Sequence, residues 1–138
     1  ALLETFLATS REPFMVQEFR PEVTGGDRRV LYIDGEIAGA INRVPQPGET
    51  RSNMHVGGRA ERSDITELDR QIAAVLGPQL RERGLVLTGI DMIGPYLTEI
   101  NVTSPTGVRE LKRFSDIDAA QLFWDAVEKR HASQFKTS

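Results

Sequence analysis

The stretch Gly89-Ile90-Asp91-Met92-Ile93-Gly94-Pro95-Tyr96-Leu97-Thr98-Glu99-Ile100-Asn101-Val102-Thr103-Ser104-Pro105-Thr106-Gly107-Val108-Arg109-Glu110 sets the reading of this chain. Val86–Met92 and Tyr96–Val102 are rich in β-branched and aliphatic residues, and Gly94-Pro95 breaks them into a hairpin. A three-residue loop centred on Pro95 would set Ile93 opposite Leu97 and Asp91 opposite Glu99. Asn101 then falls on the same face, because strand side chains alternate with period two. Two facing carboxylates repel unless something positive lies between them. With a carboxamide beside them they form a hard-oxygen set that suits Mg²⁺ shared with phosphates. A plain solvated hairpin is the simpler reading of the acidic pair alone. The exit through Val102-Thr103-Ser104-Pro105-Thr106-Gly107 favours a site, since such a loop presents hydroxyl and backbone N–H groups.

Working outward, the 138 residues suffice for one domain with a core. Hydrophobic residues make up 39% and charged residues 27%, as in ordinary globular proteins. The net charge of −3 argues against a general nucleic-acid or membrane-surface binder. No cysteine is present, which excludes disulfides and thiolate metal sites and goes with a cytoplasmic location. Lysine is absent before Lys112, whereas arginine runs along the whole chain.

Ala1–Ser10 reads as a short helix with Leu3, Phe6 and Leu7 on one side, and Phe14–Phe19 as a strand ended by Pro21. Arg28–Ile33 and Glu36–Arg43 flank Asp34-Gly35, a strong hairpin signal. Val44–Ser63, with its prolines, glycines and Arg51 and Arg59, reads as one long loop of the kind that forms lids. Thr66-Glu67-Leu68-Asp69 resembles a capping box opening a helix up to Gly84, which Gly77-Pro78 should kink or divide. Val108–Phe114 reads as a helical turn. Ser115-Asp116 should cap a last helix whose Ala120, Phe123, Trp124, Val127 and His131 face the sheet, before a frayed tail over Ser133–Ser138. The expected architecture is α+β: a mainly antiparallel sheet with helices packed on one face, in one domain spanning 1–138, with residues 44–63 as the lid loop within it.

Several chemistries drop out. His55 and His131 are the only histidines and have no partner at zinc-ligand spacing. No nucleophile elbow, phosphate-binding loop or dinucleotide fingerprint is present. Carboxylates, a carboxamide, arginines and a glycine-bearing loop remain, an inventory for phosphoryl or acyl-phosphate chemistry.

Asp91, Glu99 and Asn101, followed by Val102–Glu110, resemble the C-terminal signature of the bacterial glutathione synthetases, which are ATP-grasp ligases. The resemblance runs back in order through Gly57-Gly58-Arg59, Gly48-Glu49-Thr50-Arg51-Ser52-Asn53 and Gly26-Asp27-Arg28-Arg29-Val30-Leu31 to Pro21 and Gln17. It implies an incomplete C-terminal portion of an ATP-grasp fold and an enzyme that joins γ-glutamylcysteine to glycine with ATP. Asp91, Glu99 and Asn101 would hold Mg²⁺, or Mn²⁺ in its place, on the ATP phosphates. Gln17, Glu18 and Arg20 would border adenine, with Asp27 at the ribose. Arg29 would neutralise the γ-phosphate and acyl phosphate; Arg43 and Arg51 would act on the peptide and the transition state. Asn53, Gly57, Gly58, Ser104, Pro105, Thr106 and Gly107 would line the peptide end under the closing lid.

The departures carry their own expectation. The family places lysines and a glycine-rich phosphate loop upstream, and neither is found in this sequence. The residues therefore read as the last two-fifths of a synthetase, completed by an N-terminal part of the same protein or associated as a homo-oligomer. A different carboxylate–amine ligase, adding glutamate or alanine, and a non-catalytic nucleotide- or partner-binding domain are the competing readings. The 138-residue polypeptide alone is expected to bind Mg-ATP weakly and to form no glutathione. Turnover by the isolated, mass-verified polypeptide would refute this.

Overall fold

The computed structural model describes residues 2–13, 15–46 and 59–134. Helix α1 (Leu2–Thr9) and a 3₁₀ turn (Pro21–Gly25) precede strands β1 (Asp27–Ile33), β2 (Glu36–Val44) and β3 (Arg59–Ser63). Helix α2 (Glu67–Glu82), strands β4 (Leu87–Ile93) and β5 (Tyr96–Asn101), and helices α3 (Val108–Ser115) and α4 (Ala119–Gln134) follow. The five strands form one antiparallel sheet in the order β3-β2-β1-β4-β5.

Strand alternation divides the core in two. Val30, Tyr32, Ala40, Ile90 and Met92 point to one face, where Leu80 and the half-buried Leu68, Ile72 and Leu76 of α2 cover them. Leu31 and Ile41 point to the other face, against Leu111 of α3 and Ala119 of α4. The α+β class and the antiparallel sheet stand as expected. The helices, expected on one face, divide between both, because β1 and β2 carry apolar residues at successive positions and neither face can be left in water.

Other differences have local causes. Residues 15–19 of the expected first strand run without sheet pairing; Phe14 lies outside the described residues. Strand propensity alone does not secure a place in a sheet: β1, the next strand in the chain, has β2 and β4 on its two sides, and Met15, Gln17, Glu18 and Phe19 line a cleft beside β5. The loop expected over 44–63 gives way to strand at both ends, since Val44 closes β2 and Arg59–Ser63 pairs with β2 as β3; residues 47–58 lie outside the described residues. Helix α2 runs undivided through Gly77-Pro78. Gly77 meets the β1–β2 turn backbone to backbone: a Cβ there would come within 2.3 Å of the Gly35 carbonyl oxygen. Gly77 therefore marks a close crossing of helix and turn, which explains it without a break. Asp116 ends α3 in a left-handed conformation (φ 57°), and Asp118 caps α4 by accepting from the Gln121 N–H at 3.1 Å. Along α4 the buried residues are Ala119 and Ala126; Phe123 and Val127 are half-buried, while Ala120, Trp124 and His131 are exposed. The small alanines let the helix approach the sheet, and the Arg130 guanidinium fixes its rotation by donating to Asp34 (2.8 Å from Nε) and to the Arg81 carbonyl (2.7 Å). Of the tail expected to fray, Ser133 and Gln134 still belong to α4, and 135–138 lie outside the described residues.

The capping box at the start of α2 forms as read. The Thr66 hydroxyl accepts from the Asp69 N–H at 3.2 Å, and Asp69 accepts from the Thr66 N–H at 2.7 Å. Arg28 joins this cap to the sheet, donating to both Asp69 oxygens (3.2 and 2.6 Å) and to Ser63 (2.9 Å). Burial pushes the Asp69 carboxyl up, but the hydrogen bonds from Arg28 and Thr66 outweigh it and hold it below the usual carboxylate range. Nearby Tyr32 is pushed up to about 12, by burial and then by the Asp69 charge.

A carboxyl lowered in the folded state contributes stability above its unfolded pKa of about 3.9, lost as pH falls through the lower folded value. The urea midpoint should therefore drop as pH is taken from about 5 toward 2. Asp69→Asn should flatten that dependence and cost about 2–4 kcal/mol at pH 7, through the lost cap and ion pair. An unchanged acid limb in the variant would show that Asp69 is not its source.

Candidate functional site

The sheet register gathers the chemistry. Asp27 pairs with Arg43 and Arg29 with Asp91 on neighbouring strands, Asp91 pairs with Glu99, and Gly89 pairs with Asn101. Alternation sends these side chains to the face that Leu31 and Ile41 also occupy, the α3/α4 side of the sheet. Asp91 does stand opposite Glu99, though by another route than a three-residue loop. The turn is a tight Gly94-Pro95 pair with Ile93 opposite Tyr96 and Met92 opposite Leu97. Thr98 then adds one residue to β5 as a bulge, its hydroxyl donating to the Asp91 carbonyl at 3.1 Å. The bulge restores the offset that a longer loop would have given.

At the centre is a buried carboxylate between two buried guanidiniums. Arg29 donates to Asp91 through Nε (2.8 Å to Oδ1) and Nη2 (2.7 Å to Oδ2). Arg43 Nη2 lies 2.9 Å from Asp91 Oδ2 and 2.5 Å from Asp27 Oδ2. Asp91, Arg29 and Arg43 are 3%, 6% and 5% exposed, so each charge depends on the others for solvation. Burial alone would push the Asp91 carboxyl up; the Arg29 hydrogen bonds and the Arg43 charge outweigh it and leave it below the usual range. Burial would likewise lower Arg43, but the Asp91 and Asp27 charges raise it, which keeps it a cation.

Around this centre the sequence-read residues separate. Gln17, Glu18, Arg20, Asp27 and Glu99 all line one cleft of about 810 Å³, with Tyr96 on its wall. The Arg20 guanidinium lies 4.1 Å over the Tyr96 ring and 2.8 Å from Glu18. Asn101 Nδ2 is 3.4 Å from Asp91 Oδ2. In the loop after β5, Ser104 is exposed with a left-handed backbone (φ 46°), Pro105 and Gly107 are buried, and Thr106 accepts from Arg29. Arg51, Asn53, Gly57 and Gly58 lie outside the described residues. Two further clefts near Arg81 contain none of the sequence-read residues.

A cation fits this donor set by its chemistry. Asp91 and Glu99 face each other and Asn101 flanks Asp91, which gives the one or two carboxylates that Mg²⁺ takes alongside substrate phosphates. Arg29 and Arg43 engage the Asp91 carboxylate three times and the Asn101 amide a fourth, against about four lone-pair sites, so a cation would take the place of that amide donor, with the Asn101 carboxamide turned to present its oxygen. Among the described residues no group of three or more His, Cys, Asp or Glu side chains is placed to hold an ion, so phosphate oxygens would have to complete the shell. Sequence reasoning overlooked Gly89, which a glycine inside a strand could have signalled as a site of close backbone approach. A Cβ there would come within 2.8 Å of the Pro105 Cβ, so its absence seats the loop on the strand.

Residues 1–116 match the family described as prokaryotic glutathione synthetase, ATP-grasp domain. The chain belongs to that family. It is 61% identical over 128 residues to a glutathione synthetase of Mesorhizobium japonicum, covering 93% of this chain and 41% of the relative. It is 57% identical over 130 residues to that of Brucella melitensis (94% and 42%) and 45% identical over 128 residues to that of Neisseria meningitidis (92% and 40%). The chain thus spans about two-fifths of the length of these glutathione synthetases. The five-stranded antiparallel sheet with packed helices agrees with the C-terminal part of an ATP-grasp fold.

Removing the central carboxylate leaves the buried Arg29 guanidinium without a carboxylate partner and Arg43 with Asp27 alone. Asp91→Ala should cost about 3–5 kcal/mol in urea unfolding. Glu99→Ala, at an exposed cleft position, should stay within about 0.5 kcal/mol. Equal losses would show that Asp91 does not carry the array.

Proposed function

We propose that this chain forms the nucleotide and metal wall of an ATP-dependent ligase that joins γ-glutamylcysteine to glycine and releases ADP and phosphate. One observation carries this reading: Gln17, Glu18, Arg20, Asp27 and Glu99 line a single cleft, and Asp27 at its edge leads through Arg43 to Asp91 and Arg29. A cleft of this size accommodates a nucleotide-sized ligand. Membership of the glutathione synthetase family supports the choice of reaction.

In this reading residues 17–20 border the adenine and Asp27 accepts from a ribose hydroxyl. Asp91, Glu99 and Asn101 would hold Mg²⁺, which when bound would supply neutralisation of phosphate charge. The γ-phosphoryl group passes to the cysteinyl carboxylate of γ-glutamylcysteine; the bond to ADP breaks and an acyl phosphate forms. Glycine's amine then attacks the acyl carbon, the C–N bond forms, and phosphate leaves. Arg29 and Arg43, held as cations, stabilise the charge gathering on the transferred oxygens, where fixed donors in a dry site do most. Arg51, Asn53, Gly57 and Gly58 belong to the segment that excludes water from the acyl phosphate, with Ser104–Gly107 at the peptide end.

An ATP- and thiol-supplied compartment, the cytoplasm, goes with this chemistry; among the described residues no helix is long and apolar enough to cross a membrane. Exposed Leu97 and Ile100 on edge strand β5, with Met15, Val16 and Phe19 nearby in sequence to the cleft residues, support a covering surface from a second copy or another part of the same protein.

A chimera tests the proposal: these residues replace the matching segment of the Mesorhizobium japonicum relative, and ADP release is followed with γ-glutamylcysteine and glycine. The chimera should turn over, and Glu99→Ala within it should lower kcat at least about 10²-fold. A folded chimera that releases no ADP, or that prefers another amine or carboxylate in a substrate panel, would overturn the assignment.

A further inference from the structure

The loop after β5 borders the proposed peptide end, yet Thr106 within it points a hydrogen-bonding contact inward, to Arg29. Arg29 binds Asp91 side-on through Nε and Nη2, which leaves Nη1 directed away from the carboxylate. Thr106 receives that nitrogen twice, through its hydroxyl at 3.0 Å and its carbonyl at 3.3 Å. Two bonds to one edge of a guanidinium set its plane; a bond to the third nitrogen stops it pivoting about the edge already held. The loop is in turn fixed to the sheet, since Pro105 is buried over Gly89, where a side chain would strike it. Gly89, the same residue, leaves room for Arg29, whose Nε would lie 3.4 Å from any Cβ there.

We infer that Thr106 is a positioning residue for Arg29, and that the Thr103–Gly107 loop aims this guanidinium as well as bordering the peptide end. The consequence for catalysis rests on the ligase reading; the effect on Arg29 itself does not. Thr106 is exposed, so replacing it opens no cavity in either core. Thr106→Val keeps the shape and the carbonyl but removes the hydroxyl, whereas Thr106→Ser keeps the hydroxyl.

Arginine-side-chain NMR of the 138-residue chain reads the first part. Rotation about the Arg29 Cζ–Nη1 bond should be slow in the parent, at least several-fold faster in Thr106→Val, and slow again in Thr106→Ser. The Nε resonance, held by Asp91, should keep its position throughout. The chimera reads the second part: Thr106→Val should lower kcat roughly tenfold, the value of one hydrogen bond to a charged group, with KM for ATP changed less than about twofold. Thr106→Ser should restore it. Unchanged Arg29 rotation in Thr106→Val, or failure of serine to restore it, overturns the positioning role. A chimera inactive before any substitution, with the rotation pattern intact, overturns the ligase reading and still supports positioning.

Discussion

The structure is arranged around one carboxylate that is not in water. Asp91 sits on a central strand with almost no exposed surface, and an isolated charge there would be prohibitively costly. Arg29 from one neighbouring strand and Arg43 from the strand beyond make it tolerable, and they are themselves buried only because Asp91 and Asp27 face them. The array spans β2, β1 and β4, so it constrains the sheet register as well as the chemistry: a one-residue slip of any of these strands would send one charge to the wrong face.

That constraint shows most plainly in the adjacent arginines of β1. Arg28 and Arg29 are chemically identical and one residue apart, and alternation gives them unrelated duties. Arg28 turns toward α2 and ties its N-terminal cap to the sheet through Asp69. Arg29 turns to the opposite face and meets Asp91 and Thr106. Each arginine pairs with an aspartate held below its ordinary range by hydrogen bonds that outweigh burial. One pair is architectural and the other lies where the ligase chemistry is proposed. The strand also puts Val30 and Leu31 into separate cores on either side. At the far end of the sheet, Asp34 in the β1–β2 turn takes Arg130 of α4 and lies beside Arg81 of α2. Helices on opposite faces are thus fastened to one turn.

Much of the fold was legible because its signals are local. Asp34-Gly35 between two apolar runs can hardly be other than a hairpin turn, and Thr66–Asp69 carries its cap within one helical turn. The residue series from Gln17 through Asp27, Arg29 and Arg43 to Asp91, Glu99 and Asn101 was legible as a family pattern. What failed were inferences about partners. Residues 15–19 have strand composition but border the cleft beside β5 without pairing to it, and the apolar stripe of α4 was set by Ala119, Ala126 and the Arg130 anchor instead of by its bulkier Trp124.

By itself the sequence determined the helices, four of the five strands, the positions of the two hairpin breaks, the alternation that puts Asp91, Glu99 and Asn101 on one side of the sheet, and the family. These follow from backbone periodicity and from residues close together in the chain. Only the tertiary structure decided that Asp91 is buried between two arginines, that β5 needs a bulge at Thr98 to keep Glu99 opposite it, and that Thr106 reaches back to Arg29. Those partners are separated by tens of residues, and pairing, desolvation and loop seating across such distances are properties of the assembled sheet. The β4–β5 hairpin does find positive charge at its aspartate, in guanidiniums delivered by strands that lie far away in sequence.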